Sequence, residues 1–177
     1  MGSGYSSYER ELKGIMGGDR QLLGRYRRIA SSLEALHTLD KLAERPFLVV
    51  RTAGSHGFDL LALRDGVALP IEVKCSGEAV VHFTASRGRN REQYEQLTRE
   101  TLRAGQVLLY AYRLMGMRDE DPWRLFRASN GDTKGVARFI ANNTPGIDVT
   151  DKGNQVLRWK DGKPLMDFLQ MVLEIST

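Results

Sequence analysis

Three ionisable residues lie in two short apolar segments: Asp59 in the first, and Glu72 and Lys74 in the second. Asp65-Gly66 joins the segments, and this dipeptide is typical of a two-residue hairpin turn. With that turn, counting outward along both strands places Asp59 directly opposite Glu72, with Cβ atoms about 4.5–5.5 Å apart. Because alternate residues of a strand share a face, Lys74 is predicted on the face that carries Glu72.

This arrangement indicates a metal site. Two carboxylates that face each other repel, so positive charge must compensate them. Mg²⁺ suits carboxylate oxygens, with Mn²⁺ as a substitute, and the Val73 carbonyl could add a ligand. Lys74 could orient or polarise an attacking water, which is typical of metal-assisted phosphodiester hydrolysis. The alternative is an exposed face with an ordinary Glu–Lys pair, but charges in mostly apolar strands favour the site.

Basic residues follow this segment at 87–91. Arg87, Arg89 and Arg91 are predicted to contact phosphates, aided by the positive end of the next helix, with a solvated loop as the alternative. A second basic run contains Arg25, Arg27 and Arg28. For that run a solvated helix face is the preferred interpretation.

The elements that position these residues follow from hydrophobic periodicity. Helices are predicted over residues 8–16, 21–42 and 89–103, with Asn90 as a cap, and Pro164 opens a final helix. Strands are predicted over residues 47–50, 58–63, 67–74, 80–84, 106–112, 123–126 and 156–159. Pro70 implies one-sided pairing or a bulge. The order predicts an α/β fold with a mixed central sheet flanked by helices, and the apolar final helix belongs either to the core or to a subunit interface.

Composition limits the class of protein. The 177 residues, 41% hydrophobic and 27% charged, predict one domain over 1–177. No apolar run approaches the ~20 residues needed to cross a bilayer, and no signal peptide is evident, so a cytoplasmic location without a membrane partner is expected. The single Cys75 excludes an internal disulfide, and the net charge of +4 permits a nucleic-acid partner. No glycine-rich phosphate loop is present, and no organic cofactor is expected.

The spacing Asp59 … Glu72-Val73-Lys74 resembles the signature of the PD-(D/E)xK nuclease superfamily. Residues 4–12, GYSSYEREL, resemble the opening of archaeal Holliday junction resolvases of the Hjc type. Residues 53–62, AGSHGFDLLA, are similar to that family's approach to its catalytic aspartate. The resemblance covers residues 4–16 and roughly 46–128, and it implies a restriction-endonuclease-like fold.

The resemblance also implies roles. Asp59 and Glu72 match the metal-binding acids, Lys74 the catalytic lysine, and Glu9 the helix-1 glutamate that completes the metal site. For Glu9 the alternative is a capping box with Ser6.

The resemblance further implies contacts with the substrate. Ser55 matches a serine near the scissile phosphate, and Arg10 would lie near the DNA backbone. His56 is a candidate DNA contact because it stands beside Ser55.

The predicted function is therefore a Mg²⁺-dependent endodeoxyribonuclease that resolves four-way junctions as a homodimer in recombination and repair, associated with the nucleoid. A flap or duplex nuclease and a catalytically silent DNA-binding dimer are the alternatives. The chain departs from the family pattern at residues 17–45, predicted to be a helical insertion, and at Pro70. Residues 145–177 are predicted to be a C-terminal strand and helix extension.

Overall fold

The computed structural model describes residues 3–52, 57–84, 88–129 and 131–175, with side chains from residue 7 onward. The helices are α1 Ser3–Met16, α2 Arg20–Ile29, α3 Leu33–Glu44, α4 Arg89–Arg103, α5 Gly135–Asn142 and α6 Leu165–Ile175. The strands are β1 Leu48–Arg51, β2 Leu60–Arg64, β3 Val67–Ser76, β4 Val80–His82, β5 Leu109–Leu114, β6 Trp123–Arg127, β7 Asp148–Val149, β8 Gln155–Arg158 and β9 Lys163–Pro164. Within the described ranges no helix is both long and apolar enough to cross a membrane.

The central sheet has six strands in the order β1-β2-β3-β5-β6-β9. β3 and β5 run parallel, and the other neighbours run antiparallel. A separate small sheet has the order β4-β8-β7. The predicted α/β class with a mixed central sheet flanked by helices is therefore confirmed.

The hairpin between β2 and β3 determines the relative positions of Asp59, Glu72 and Lys74. Asp65 and Gly66 have φ of 47° and 78°, the left-handed conformation that a tight two-residue turn needs. The strands pair in the predicted register, from Arg64 opposite Val67 to Leu60 opposite Ile71. Pro70 pairs with β2 only, since the ladder to β5 begins one residue later, which confirms the predicted one-sided pairing.

Both faces of the sheet are covered, and since side chains alternate along a strand, those of β5 enter two different cores. Leu109 and Ala111 belong to the larger core, to which α1, α3 and α6 contribute. Tyr110 and Tyr112 belong to a second core with residues of α4 and the small sheet. The apolar stripe of α6 is buried within the chain, so its breadth is explained by the core.

Several predicted boundaries were wrong. The single helix over 21–42 is two helices, because Ala30 is extended and the Ser32 hydroxyl caps α3 by accepting from the Ala35 N–H at 3.1 Å. Asn90 lies inside α4, whose N-cap is Gly88. β2 and β5 begin at Leu60 and Leu109, later than predicted, and α5 was not predicted at all.

Candidate active site

Asp59 is the residue immediately before β2, and continuing the observed register by one residue beyond Leu60 and Ile71 places it opposite Glu72 of β3. Its Oδ2 atom accepts a hydrogen bond of 2.7 Å from the Val73 N–H. Its carbonyl accepts one of 3.0 Å from the Thr52 N–H, beyond the end of β1. These bonds hold the carboxylate across the ladder, in the position the turn predicted.

Glu72 and Lys74 lie on one face, as strand alternation requires. The Lys74 Nζ atom donates to Glu72 Oε1 at 2.8 Å. Glu72 is only 5% exposed, and its Oε2 atom has no hydrogen-bond partner among the described residues. A buried carboxylate oxygen without a donor is costly, so this atom is a ready ligand for a cation.

The pKa of Asp59 is raised by its burial and by the acids that surround it. Its pKa is raised from 3.8 to about 6, chiefly by burial and next by the nearby Glu72 carboxylate. The Val73 N–H and the Lys74 ammonium act in the opposite direction, and Glu9 contributes a smaller increase. Negative charge at Asp59 is therefore only partly compensated by the protein.

We expect the metal-free protein to lose stability relative to the Asp59→Asn variant as pH rises from about 4 to about 7. An acid whose pKa is raised by folding stabilises the fold below its ordinary pKa, and that contribution is lost as pH rises through about 6. We expect a change of about 1–2 kcal/mol in the difference, allowing for solvent screening. Urea unfolding of both proteins in chelator across this range measures it, and a difference independent of pH would contradict the expectation.

Glu9 lies on α1 and approaches the same carboxylates. Its Oε2 atom accepts from the Arg51 guanidinium, at 3.1 Å from Nε and 2.5 Å from Nη2. The capping-box alternative is wrong, because α1 begins at Ser3 and Ser6 lies inside the helix. The partner of Glu9 is therefore the last residue of β1, which sequence reasoning did not single out.

The donor set fits a hard divalent cation. Asp59 and Glu72 supply carboxylates, and one oxygen of Glu72 lacks a donor. Since the N–H and C=O of an extended residue point to the same side, the Val73 carbonyl faces Asp59 along with its N–H. In the described part of the chain no cluster of three acidic, histidine or cysteine side chains could hold a metal, so the protein offers two carboxylates and Mg²⁺ would keep several waters.

A cavity of about 340 Å³ adjoins Glu72 and Lys74. Tyr94 and Tyr110 form part of its wall, and burial raises the pKa of both phenols. Tyr110 pairs with Glu72 across the parallel ladder, so it screens one side of the carboxylate from water. Periodicity had identified Tyr110 only as a strand residue.

The N-terminal turn of α4 lines the same cavity through Asn90 and Gln93. Arg89, the first residue of α4, is exposed, whereas Arg91 pairs with Glu95 at 2.9 Å. Of the predicted run 87–91, it is Asn90 that lines the cavity beside Glu72, and Arg89 and Arg91 are its immediate neighbours on α4. Arg10 is exposed on α1, one residue beyond Glu9. Ser55, His56 and Arg87 lie outside the described residues.

The fold and the site define an α/β protein whose sheet presents two facing carboxylates and a lysine beside a basic helix terminus. The sequence model described as "Archaeal holliday junction resolvase (hjc)" matches residues 34–159, more than half of the chain. The chain belongs to this family, whose members are DNA-binding nucleases of recombination that act on branched DNA.

A solved structure adds a fold comparison. The 1.6 Å structure of Archaeoglobus fulgidus Hjc, a Holliday junction resolvase from an archaeal hyperthermophile, matches with 19% identity and a TM-score of 0.48. The match covers 82% of this chain and 93% of that chain. No curated protein matches this chain.

Proposed function

We propose that this protein is a Mg²⁺-dependent, structure-selective endodeoxyribonuclease that resolves four-way junctions by paired symmetric nicks. The observation that carries the proposal is the placement of Asp59 opposite Glu72, with the Lys74 ammonium 2.8 Å from Glu72. Family membership supports the same reaction class. Its cellular roles would be recombination and repair, in the cytoplasm at the nucleoid.

Asp59, Glu72 and the Val73 carbonyl would hold Mg²⁺, for which Mn²⁺ could substitute. The ion would supply a water of lowered pKa and offset charge on the phosphate. Lys74, held beside Glu72, orients the attacking water and offsets the charge that develops as the phosphorus is attacked. The P–O3′ bond breaks, leaving 5′-phosphate and 3′-hydroxyl ends.

Glu9 would complete the metal site by leaving Arg51. The guanidinium would then be free for a DNA phosphate, since arginine pairs well with either anion. Ser55 is proposed near the scissile phosphate. The proposed DNA contacts are Arg10, His56, Arg87, Arg89 and Arg91.

A homodimer is part of the proposal because a four-way junction has two-fold character and two nicks need two sites. An apolar face supports it: Leu48 and Val50 of the edge strand β1 are 65% and 45% exposed. They lie opposite Leu63 and Leu61 of β2, so the four side chains share one face.

A single nuclease domain over 1–177, with the insertion at 17–45 and the extension at 145–177, stays a prediction.

The proposal predicts cleavage of a synthetic four-way junction in Mg²⁺, with symmetric nicks in two opposing strands. Linear duplex and a flap substrate of the same sequence are the controls, each assayed with Mg²⁺ and with chelator. Gel mapping of both labelled strand pairs measures the nicks. Selective cleavage of the junction in metal alone is the expected result.

Other outcomes separate the alternatives. Cleavage of duplex or flap in preference to the junction would keep a nuclease and discard junction resolution. Tight junction binding without a cut in either Mg²⁺ or Mn²⁺ would identify a silent DNA-binding protein of the same fold.

A further inference from the structure

A second concave site lies on α2, outside the carboxylate centre. It is a groove of about 580 Å³ between α1, α2 and the loop that joins β5 to β6. Arg25 and Arg28 enter it from α2, and Arg118 enters it from the loop. Arg25 and Arg28 are three residues apart, so they lie next to each other on one helix face.

The acids of this groove are already neutralised. Glu11 pairs with Arg113 at 3.0 Å and also accepts from the indole N–H of Trp123 at 3.3 Å. Glu120 pairs with Arg124 at 3.2 Å. After these pairs the groove retains three positive charges that no ion pair among the described residues compensates, those of Arg25, Arg28 and Arg118.

The third arginine of the α2 run differs from its neighbours. Arg27 forms an ion pair with Asp40 of α3, on another side of the helix. Within the basic run, Arg27 therefore pairs with α3, whereas Arg25 and Arg28 face the groove. If this face of α2 were only an ordinary solvated surface, there would be no reason for Arg25 and Arg28 to line the same groove as Arg118, which is distant in the sequence.

α2 presents these cations from a fixed position. Its N-terminus is capped by the Asp19 carboxylate, which accepts from two backbone N–H groups at 3.0 Å. Near its C-terminal end the buried Tyr26 donates from its hydroxyl to Asp121 at 3.0 Å. Arg25 and Arg28 on this anchored helix and Arg118 on the facing loop are like charges that repel one another, and a bound anion would offset that repulsion.

The groove lies on a different side of α1 from the carboxylates. Glu9 faces Arg51 and Asp59, whereas Glu11 lines the groove. Two residues of an α-helix differ by about 200° around its axis, so the two side chains leave opposite sides of α1. A ligand bound in the groove would therefore contact a surface of the protein that is separate from the carboxylate site.

We propose that this groove binds the phosphodiester backbone of a DNA arm, through Arg25, Arg28 and Arg118. The inference rests on the proposed function, since it assigns to the residue 17–45 segment a role in holding branched DNA. Guanidinium groups suit phosphates because they donate two parallel hydrogen bonds. The groove is a binding site only, and it takes no part in cleavage.

The test compares two triple variants that each remove three positive charges. The groove variant is Arg25→Gln, Arg28→Gln and Arg118→Gln. The matched control is Arg20→Gln, Lys152→Gln and Lys160→Gln, which are exposed positions outside the groove. In both variants glutamine retains much of the length of the side chain that it replaces. Thermal melting checks that both proteins fold. We expect the groove variant to melt no lower than wild type, because it loses the repulsion between the three arginines.

Junction affinity is measured in chelator over a salt series. We expect the groove variant to bind about tenfold or more weakly and to reduce the slope of log K against log salt by about 2–3, since each phosphate contact contributes about 0.9. The control variant should keep a slope close to that of wild type. Single-turnover cleavage at saturating enzyme should stay within about twofold of wild type, because only binding is removed.

An unchanged slope in the groove variant, with wild-type junction binding intact, overturns the groove inference and leaves the proposed nuclease standing. Binding of poly-glutamate by wild type that the groove variant loses, with that unchanged slope, would assign the groove to an acidic protein instead. Wild-type protein that binds neither junction nor duplex would overturn both proposals.

Discussion

Replacing Asp59 with Asn should lower the single-turnover rate of junction cleavage by about a thousandfold, equivalent to about 4 kcal/mol of transition-state stabilisation. The substitution keeps the size of the side chain and an oxygen that can accept from the Val73 N–H. It removes one of the two negative charges that would hold the metal ion. Junction affinity in chelator should be unchanged or stronger, because a charge that repels phosphate is lost.

The control for this experiment is Asp167→Asn. Asp167 is an exposed carboxylate in the first turn of α6, on an element that contributes to the core away from Glu72. Its rate should stay within about twofold of wild type, as is usual for surface positions. An Asp59→Asn protein that cuts at more than about one tenth of the wild-type rate would contradict the two-carboxylate site, although family membership would be unaffected.

The centre of this site could be predicted because it depends on local rules. A two-residue turn fixes the register of a hairpin, and register alone brings Asp59 opposite Glu72 and places Lys74 beside it. The pairing of Glu9 with Arg51 could not be predicted in this way. These residues are 42 positions apart, and their contact depends on how α1 packs against the sheet.

The same distinction applies to the fold. Strand order around the hairpin and the apolar stripe of α6 follow from short-range pattern. The division of residues 21–42 into α2 and α3 depends on Ser32, whose hydroxyl competes with a continuous helix by capping a new one. In the small sheet β7 and β8 are a local hairpin, but β4 pairs with β8 from a distant part of the sequence, and no local pattern indicates that pairing.

Asp121 is a further residue whose importance only the structure shows. In the sequence it is one of three acids in the loop before β6. In the fold its Oδ1 atom accepts from the Tyr26 hydroxyl and the Trp123 N–H, and its Oδ2 atom accepts from the Met166 N–H, each at 3.0 Å. One carboxylate thus connects α2, β6 and the N-terminus of α6.

Asp121→Ala should therefore lower the free energy of unfolding by about 3 kcal/mol, because three partly buried donors lose their acceptor. Tyr26→Phe, which removes one of these bonds, should cost about 1 kcal/mol. Urea unfolding at neutral pH measures both, with Asp119→Ala in the same loop as the control, expected within about 0.5 kcal/mol of wild type. Equal stability of the Asp121→Ala and Asp119→Ala proteins would contradict a structural role for the carboxylate.

Because Asp121 anchors the helix that carries Arg25 and Arg28, the Asp121→Ala protein should also bind the junction more weakly, while Asp119→Ala should not.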